Sequence, residues 1–317
     1  MSLTYSNANA TGPASIVVPA GSLTATGTVT AVDNVVDEPD RTVEVSVDSV
    51  TNGVEDGVQA VTLTLTDDEA APTLSIADVS LTEGASGTKA MTFTASLSAA
   101  SARTVTVDYA TSGGTATANA DFDMASGTLT FAPGQTQRTF DVTISSENRV
   151  ELDETFAVAL SSPTNATISD GTATGTILND DSATISIADG QRFEGDSSDN
   201  SLNLILSMSA PVDVRVSLTV TTADGTATAA TDYYAVSAAP YSIADGATGR
   251  FIPLTTKADT VFEPDETFTV TLADLDASGR AVTFSDATAW LRAAITASSV
   301  SRSCDMYVLA VSTKFGI

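Results

Sequence analysis

Met91-Thr92-Phe93-Thr94-Ala95-Ser96-Leu97 sets an apolar side chain at every second position, with a hydroxyl residue between each pair. Successive side chains of a strand point to opposite faces, so a strict period of two marks a strand with one buried and one wetted face. The pattern returns at Val105, Val107 and Tyr109, at Leu129 and Phe131, at Phe140, Val142 and Ile144, and at Phe156, Val158 and Leu160. Leu74-Ser75-Ile76 opens the set, and Ala173, Gly175 and Ile177 close it. Turn residues fall between these runs. The reading is all-β, with about seven short strands in roughly 110 residues, the size and rhythm of an immunoglobulin-like antiparallel sandwich.

The same order of elements then restarts. Thr184-Ile185-Ser186-Ile187-Ala188-Asp189 repeats Thr73-Leu74-Ser75-Ile76-Ala77-Asp78. Gly225-Thr226-Ala227-Thr228 precedes Asp232-Tyr233 as Gly114-Thr115-Ala116-Thr117 precedes Asp121-Phe122. Glu263-Pro264-Asp265-Glu266-Thr267-Phe268 matches Glu151-Leu152-Asp153-Glu154-Thr155-Phe156. The first 71 residues match only the second half of this unit, with Asp37-Glu38-Pro39-Asp40 and a closing Asp67-Asp68. The expected domains are therefore 1–71, the C-terminal half of a repeat whose first strands lie before the chain; 72–181, a complete repeat; and 182–297, a repeat with a degenerate end. Residues 298–317 stay unassigned. A half sandwich leaves strand edges and a core face uncovered. The first segment is thus expected to be less stable than its neighbours, or to pair with another chain.

Acidic residues share the same period. Glu83 and Glu194 stand 111 residues apart, as do Asp121 and Asp232, while Glu38, Glu151 and Glu263 are separated by 113 and 112. Packing does not require carboxylates at fixed places, so acids kept in register point first to a cation site rebuilt in each copy. The chain carries 40 acidic and 13 basic residues, for a formal charge of −27, which speaks against nucleic-acid binding. With no histidine there can be no Ser-His-Asp triad, so Gly195-Asp196-Ser197 is not an esterase motif, and the commonest zinc ligand is missing. A single tryptophan, Trp290, argues against an aromatic-lined glycosidase cleft. One cysteine, Cys304, allows no internal disulfide and reads as a free structural thiol. No stretch approaches the ~18 apolar residues of a spanning helix.

The unit resembles the Calx-beta domain of sodium–calcium exchangers, integrin beta-4 and many bacterial surface proteins. The resemblance rests on Glu83-Gly84, on Gly114-Thr115-Ala116 with Asp121-Phe122, and on Ser126-Gly127-Thr128-Leu129-Thr130-Phe131-Ala132-Pro133-Gly134. It also rests on Glu151 with Glu154-Thr155-Phe156, and on Ala173 through Asp181. It implies a seven-stranded sandwich with calcium, where bound, held in loops at one end near the junction with the next domain. Calcium takes six to eight oxygen ligands. In the second repeat the resemblance places ligation on Glu83, Asp121, Glu151, Asp180 and Asp181. Glu147 stands where exchanger domains have one of a run of aspartates; Ser146 and Asn148 replace others of that run, which favours one or two ions over four. The third repeat offers Glu194, Asp232, Asp259 and Glu263 but no closing acidic pair, so its site is expected to be weaker or empty. The first segment keeps Glu38, Asp67 and Asp68 but lacks counterparts of Glu83 and Asp121.

Acids in turns also cap their own backbone, and Glu154 and Glu266 read more simply as strand-start residues. The functional expectation is a non-enzymatic, calcium-responsive module of a larger surface or secreted protein, extracellular and bacterial. Calcium would fix the angle between neighbouring repeats, and the array would serve adhesion or cell communication through a protein or glycan at the cell surface. The competing expectations are a metal-free spacer and a non-catalytic accessory region of a secreted hydrolase.

Overall fold

A computed structural model describes residues 1–193, 195, 197–261 and 263–294, and every regular element among them is a β-strand. Glu194, Cys304 and the apolar run from Met306 to Val311 lie outside the described residues, as does Ile295-Thr296-Ala297. The chain divides into two compact units, one of Met1–Glu147 with Asp153–Asn179, the other of Asn148–Leu152 with Asp180 onward. No helix among the described residues is long and apolar enough to cross a membrane.

In the first unit, a five-stranded sheet runs in the order Ser126–Phe131, Val105–Gly113, Glu154–Thr164, Thr172–Leu178 and Val79–Thr82. A four-stranded sheet runs Gln137–Ser146, Gly87–Leu97, Thr73–Ile76 and Thr167–Asp170. The period-two residues meet in one core, where Met91, Phe93, Phe131, Val142, Ile144 and Phe156 are at most 1% exposed. Phe122 stacks on Phe156 at 4.4 Å, and Phe93 meets the edge of the same ring at 5.9 Å.

The second unit repeats this arrangement. Its four-stranded sheet runs Gly249–Thr256, Asn200–Met208, Ala183–Ile187 and Val282–Asp286, and its five-stranded sheet runs Gly190–Phe193, Thr288–Ala294, Glu266–Asp276, Val216–Asp224 and Ala239–Ile243. Where the sequence departs from the repeat, Thr288–Ala294 still forms the equivalent strand, with Leu291 fully buried opposite Phe268. The buried Ala289 and Leu291, with ladder pairing to both neighbouring strands, keep this strand in place, so losing the repeat motif there does not cost the sandwich this strand.

Each sandwich holds nine strand segments where the sequence suggests seven. The first strand breaks after Ile76 and changes sheet, and at the break the Asp78 carboxylate accepts the Thr174 N–H at 2.7 Å. Asp189 does the same for the N–H of Trp290, also at 2.7 Å. Thr164 pairs out of register after Ser161, and Ser162 and Asn165 take left-handed φ of 52° and 57°. The chain then crosses to pair Thr167–Asp170 in parallel with Thr73–Ile76.

The first 71 residues form a smaller array inside the first unit: a sheet of Ser2–Tyr5, Arg41–Ser49 and Ala60–Leu65, with Ala10–Thr11 paired to Thr30–Ala31. Its buried apolar residues are Ala10, Val43 and Val45 alone, while Leu23, Val54 and Val58 are over 90% exposed. One feature exceeds the sequence expectation. Ser2–Tyr5 pairs with Arg41–Ser49 much as Val105–Gly113 pairs with Glu154–Thr164.

Candidate metal centre

The repeated Gly-Thr-Ala-Thr run ties a loop to the start of a strand. A Cβ on Gly225 would lie 2.3 Å from the Thr267 carbonyl oxygen, and one on Gly114 would lie 2.4 Å from that of Thr155. Only glycine permits so close an approach of two backbones. The next threonine then locks it. Thr226 Oγ1 accepts the Thr267 N–H at 2.8 Å, and the Ala227 N–H reaches the Thr267 carbonyl at 3.0 Å. Thr115, Ala116 and Thr155 repeat both bonds at 2.8 and 2.9 Å.

This tie brings the residue before Thr267, which is Glu266, beside the loop that carries Asp232. That loop is pinned by its own hydrogen bonds. Asp232 Oδ2 accepts the Thr228 N–H at 2.6 Å, the Asp232 N–H donates to the Thr228 carbonyl at 2.8 Å, and the Asp232 carbonyl accepts the Lys257 N–H at 2.9 Å. Tyr233 turns inward and stacks on Phe268 at 4.0 Å, its hydroxyl donating to Asp224 at 2.6 Å. Burial, then the bond to Asp224, pushes the Tyr233 hydroxyl up to about 12. The ammonium of Lys257 is engaged elsewhere, donating to the carbonyls of Ala229 and Ala230 at 2.7 and 2.9 Å.

Asp232, Glu263 and Glu266 each offer one carboxylate oxygen, and the three lie within 4.8 Å of one another. Asp232 is buried and the two glutamates are half-buried. Two oxygens bound to one calcium at about 2.4 Å are at most about 4.8 Å apart, so this spacing and this hard-oxygen chemistry fit one such ion. Asp259 is not in the group; its carboxylate accepts the Val261 N–H at 2.8 Å within its own loop.

Like charges so close must share the burden. Burial works to raise the Asp232 carboxyl, but the Thr228 N–H, the hydroxyls of Thr231 and Thr228, and Glu266 outweigh it and hold it below the usual range. Glu266 is pushed up, by burial first and then by Asp232 and Glu263. Folded Glu266 therefore holds its proton more tightly than unfolded Glu266. Its contribution to stability is present at acid pH and is lost as pH rises through the raised value; Asp232 has the opposite sign. A cation has to displace that proton. Apparent calcium affinity is expected to fall as pH is lowered from about 7 towards glutamate's ordinary 4.5, with proton uptake by the buffer on binding. Titrations in two buffers of different ionisation enthalpy check this, and a pH-independent affinity would remove Glu266 from the site.

In the first unit the same motif places Asp121 and Glu154 with carboxylate oxygens within 4.8 Å. Asp121 Oδ2 accepts the Thr117 N–H at 2.6 Å, and its carbonyl accepts the Ser145 N–H at 2.9 Å. Glu83 is buried behind Val79–Thr82, its N–H donating to Leu178 at 3.1 Å and its carbonyl accepting from the Ser146 hydroxyl. Glu147 is exposed and belongs to no acidic group among the described residues. Glu151, Asp180 and Asp181 are counted with the second unit. There Glu151 pairs with Arg149 at 3.4 Å, and burial, then Asp180, raises the Asp181 carboxyl. Asp33, Asp68 and Glu69 form a further, largely exposed group in the first unit.

Sequence reasoning missed Glu266 and Glu154 as members of these groups. The signal was present: each follows a period-matched glutamate by three residues and directly precedes the Thr-Phe that the Gly-Thr-Ala loop grips.

A family model for the Calx-beta domain matches residues 66–191 and 179–294. Human sodium/calcium exchanger 3 is 44% identical over 59 residues, which is 19% of this chain and 6% of the exchanger. Dog sodium/calcium exchanger 1 is 45% identical over 58 residues, again 6% of its length. Among solved structures, the CBD12 fragment of CALX1.2 aligns at 19% identity over 70% of this chain and 99% of its own, with a TM-score of 0.33. The apo-form Calx CBD1 domain aligns at 24% identity over 35% and 98%, with a TM-score of 0.30.

Proposed function

The chain belongs to the Calx-beta domain family, and from that premise we propose that it is a calcium-binding tandem sandwich module of a larger protein. The observation that carries the reading is the convergence of Asp232, Glu263 and Glu266, three carboxylate oxygens within 4.8 Å, where side-chain and backbone hydrogen bonds tie a loop to a strand start. The register of the repeats transfers the same roles to Asp121, Glu151 and Glu154. Glu83, Glu147, Asp180 and Asp181 are the proposed further ligands of the second repeat, and Glu194 that of the third. When bound, calcium supplies the positive charge these groups lack and removes their mutual repulsion. The residues themselves orient the oxygens: Thr228 and Thr117 aim the aspartates, and the buried Tyr233–Phe268 and Phe122–Phe156 stacks hold the loops.

The proposed role is non-catalytic. Calcium stiffens the repeats of an extracellular or cell-surface protein, bacterial in source, that engages a protein or glycan in adhesion or cell communication. The formal charge of −27 supports a cation-rich setting and opposes a nucleic-acid partner. Affinity in the range of about 10⁻⁴–10⁻³ M is expected for an extracellular module. At a hundredfold excess over the dissociation constant, binding then adds about 2.7 kcal/mol to stability. Calorimetric titration of calcium into chelator-treated chain, with melting followed in parallel, tests this. No heat and an unchanged melting temperature at millimolar calcium would sink the calcium reading and leave a metal-free spacer.

A further inference from the structure

The first segment lacks the aspartate and second glutamate of the later repeats, yet a backbone hydrogen bond of that loop recurs in it. The Asn9 carbonyl accepts the Val32 N–H at 2.8 Å, as Asp121 and Asp232 accept from Ser145 and Lys257 at 2.9 Å. The residues that follow, Ala10, Phe122 and Tyr233, are all buried. Asn9 therefore stands where the later repeats have the aspartate. Glu38-Pro39-Asp40-Arg41-Thr42 aligns without a gap on Glu151-Leu152-Asp153-Glu154-Thr155 and on Glu263-Pro264-Asp265-Glu266-Thr267. Arg41 thus occupies the place of Glu154 and Glu266. Three carboxylates in the third repeat, formally −3, become an amide, a carboxylate and a guanidinium, formally neutral.

The guanidinium does more than cancel charge. Its Nη1 donates to Asn9 Oδ1 at 3.1 Å and its Nη2 to the Glu38 carboxylate, so it contacts the counterparts of both remaining ligands. Glu38 is only 8% exposed, which makes an uncompensated charge there costly. Around it, Asn34 donates to Glu38 Oε1 at 3.3 Å, and Asp67 accepts the Glu38 N–H at 3.2 Å. The neighbouring Asp37 is closed off too: Ser101 and Arg103 donate to its carboxylate, and Arg103 also reaches the Glu38 carbonyl. An isolated exposed ion pair would contribute little. This one engages two residues at once, Asn9 and Glu38, and Glu38 is buried.

We propose that Arg41 is a tethered cation, occupying in the first segment the position that calcium fills in the later repeats, so that this segment is held without metal. The inference rests on the calcium reading for its comparison, but the tether stands on its own contacts. An arginine stays charged at every physiological pH and cannot diffuse away, so the segment would keep its order where calcium is scarce.

Amide hydrogen exchange on the full chain, followed over Asn7–Thr11 and Arg41–Ser49, tests it. In EDTA, Arg41→Gln is expected to speed exchange at Val43 and Val45 by about tenfold or more, since it strands the buried Glu38 carboxylate. Unchanged exchange would overturn the tether. In the double variant Asn9→Asp with Arg41→Glu, protection should be lost in EDTA and restored by roughly 5 mM calcium, above the range of extracellular modules. Wild type should not respond to calcium at these amides; a response as large as that of the double variant would overturn the proposal. If calcium protects the Asp232 loop but fails to rescue the double variant, the equivalence of the two places is refuted. If neither responds to calcium while Arg41→Gln still loses protection, the calcium reading fails and the tether survives.

Discussion

Asp232→Ala is expected to abolish the calcium response of the third repeat and to lower its stability without metal by about 1–3 kcal/mol. Two separate effects combine. The substitution removes the most buried of three converging carboxylates, and it leaves the Thr228 N–H, held at 2.6 Å, without its acceptor. A fully buried unsatisfied donor costs about that amount, and the half-buried Thr228 N–H accounts for the lower part of the range. Asp232→Asn separates the effects: the amide oxygen keeps the Thr228 bond while the charge is lost, so metal-free stability should stay near wild type and calcium affinity should still collapse. Trp290, the chain's single tryptophan, lies on the strand paired with Glu266–Asp276 and reports unfolding of the second unit by fluorescence. A calcium-induced rise in the Trp290 melting midpoint that persists in both variants would remove Asp232 from the site.

The alternation of apolar and hydroxyl residues was a reliable guide because sheet packing has a period of two and leaves little choice. Met91, Phe93, Ala95 and Leu97 are all buried, as read. The acidic period was a less selective guide. It brought Asp232 and Glu263 to one place, but Asp78 and Asp189 share that period and serve as caps where a strand changes sheet. A repeat preserves whatever each copy needs, ligand or cap, so spacing cannot separate the two. Glu266 reads as local from sequence because it starts a strand, and only the close approach at Gly225 puts it beside Asp232. Asn9 was invisible for another reason. Neither its side chain nor the small Ala10 after it resembles Asp121-Phe122, and the equivalence appears only in the backbone bond to Val32.

The aromatic stack beneath the carboxylates should be the most sensitive point of all. Phe268 is 1% exposed and lies nearly parallel to Tyr233, 4° apart at 4.0 Å. Phe268→Ala is expected to cost about 3–5 kcal/mol, the usual loss for a truncated core phenylalanine. That is a large share of the ~5–15 kcal/mol that holds a typical domain together. The effect should not stop at stability. Tyr233 directly follows Asp232, and Phe268 stands two residues after Glu266, so the ring pair fixes both the loop and the strand start that carry the converging carboxylates. Losing it frees the carboxylates to move apart under their own repulsion, and calcium affinity should fall although no ligand has been touched. Phe156→Ala, which breaks the equivalent stack with Phe122, should destabilise the first unit in the same way. Urea unfolding followed at Trp290, with and without calcium, measures both quantities for Phe268→Ala. If stability drops as expected but the calcium-induced stabilisation equals that of wild type, the ring pair only supports the core, and the ligands are positioned by the Gly225-Thr226-Ala227 tie alone.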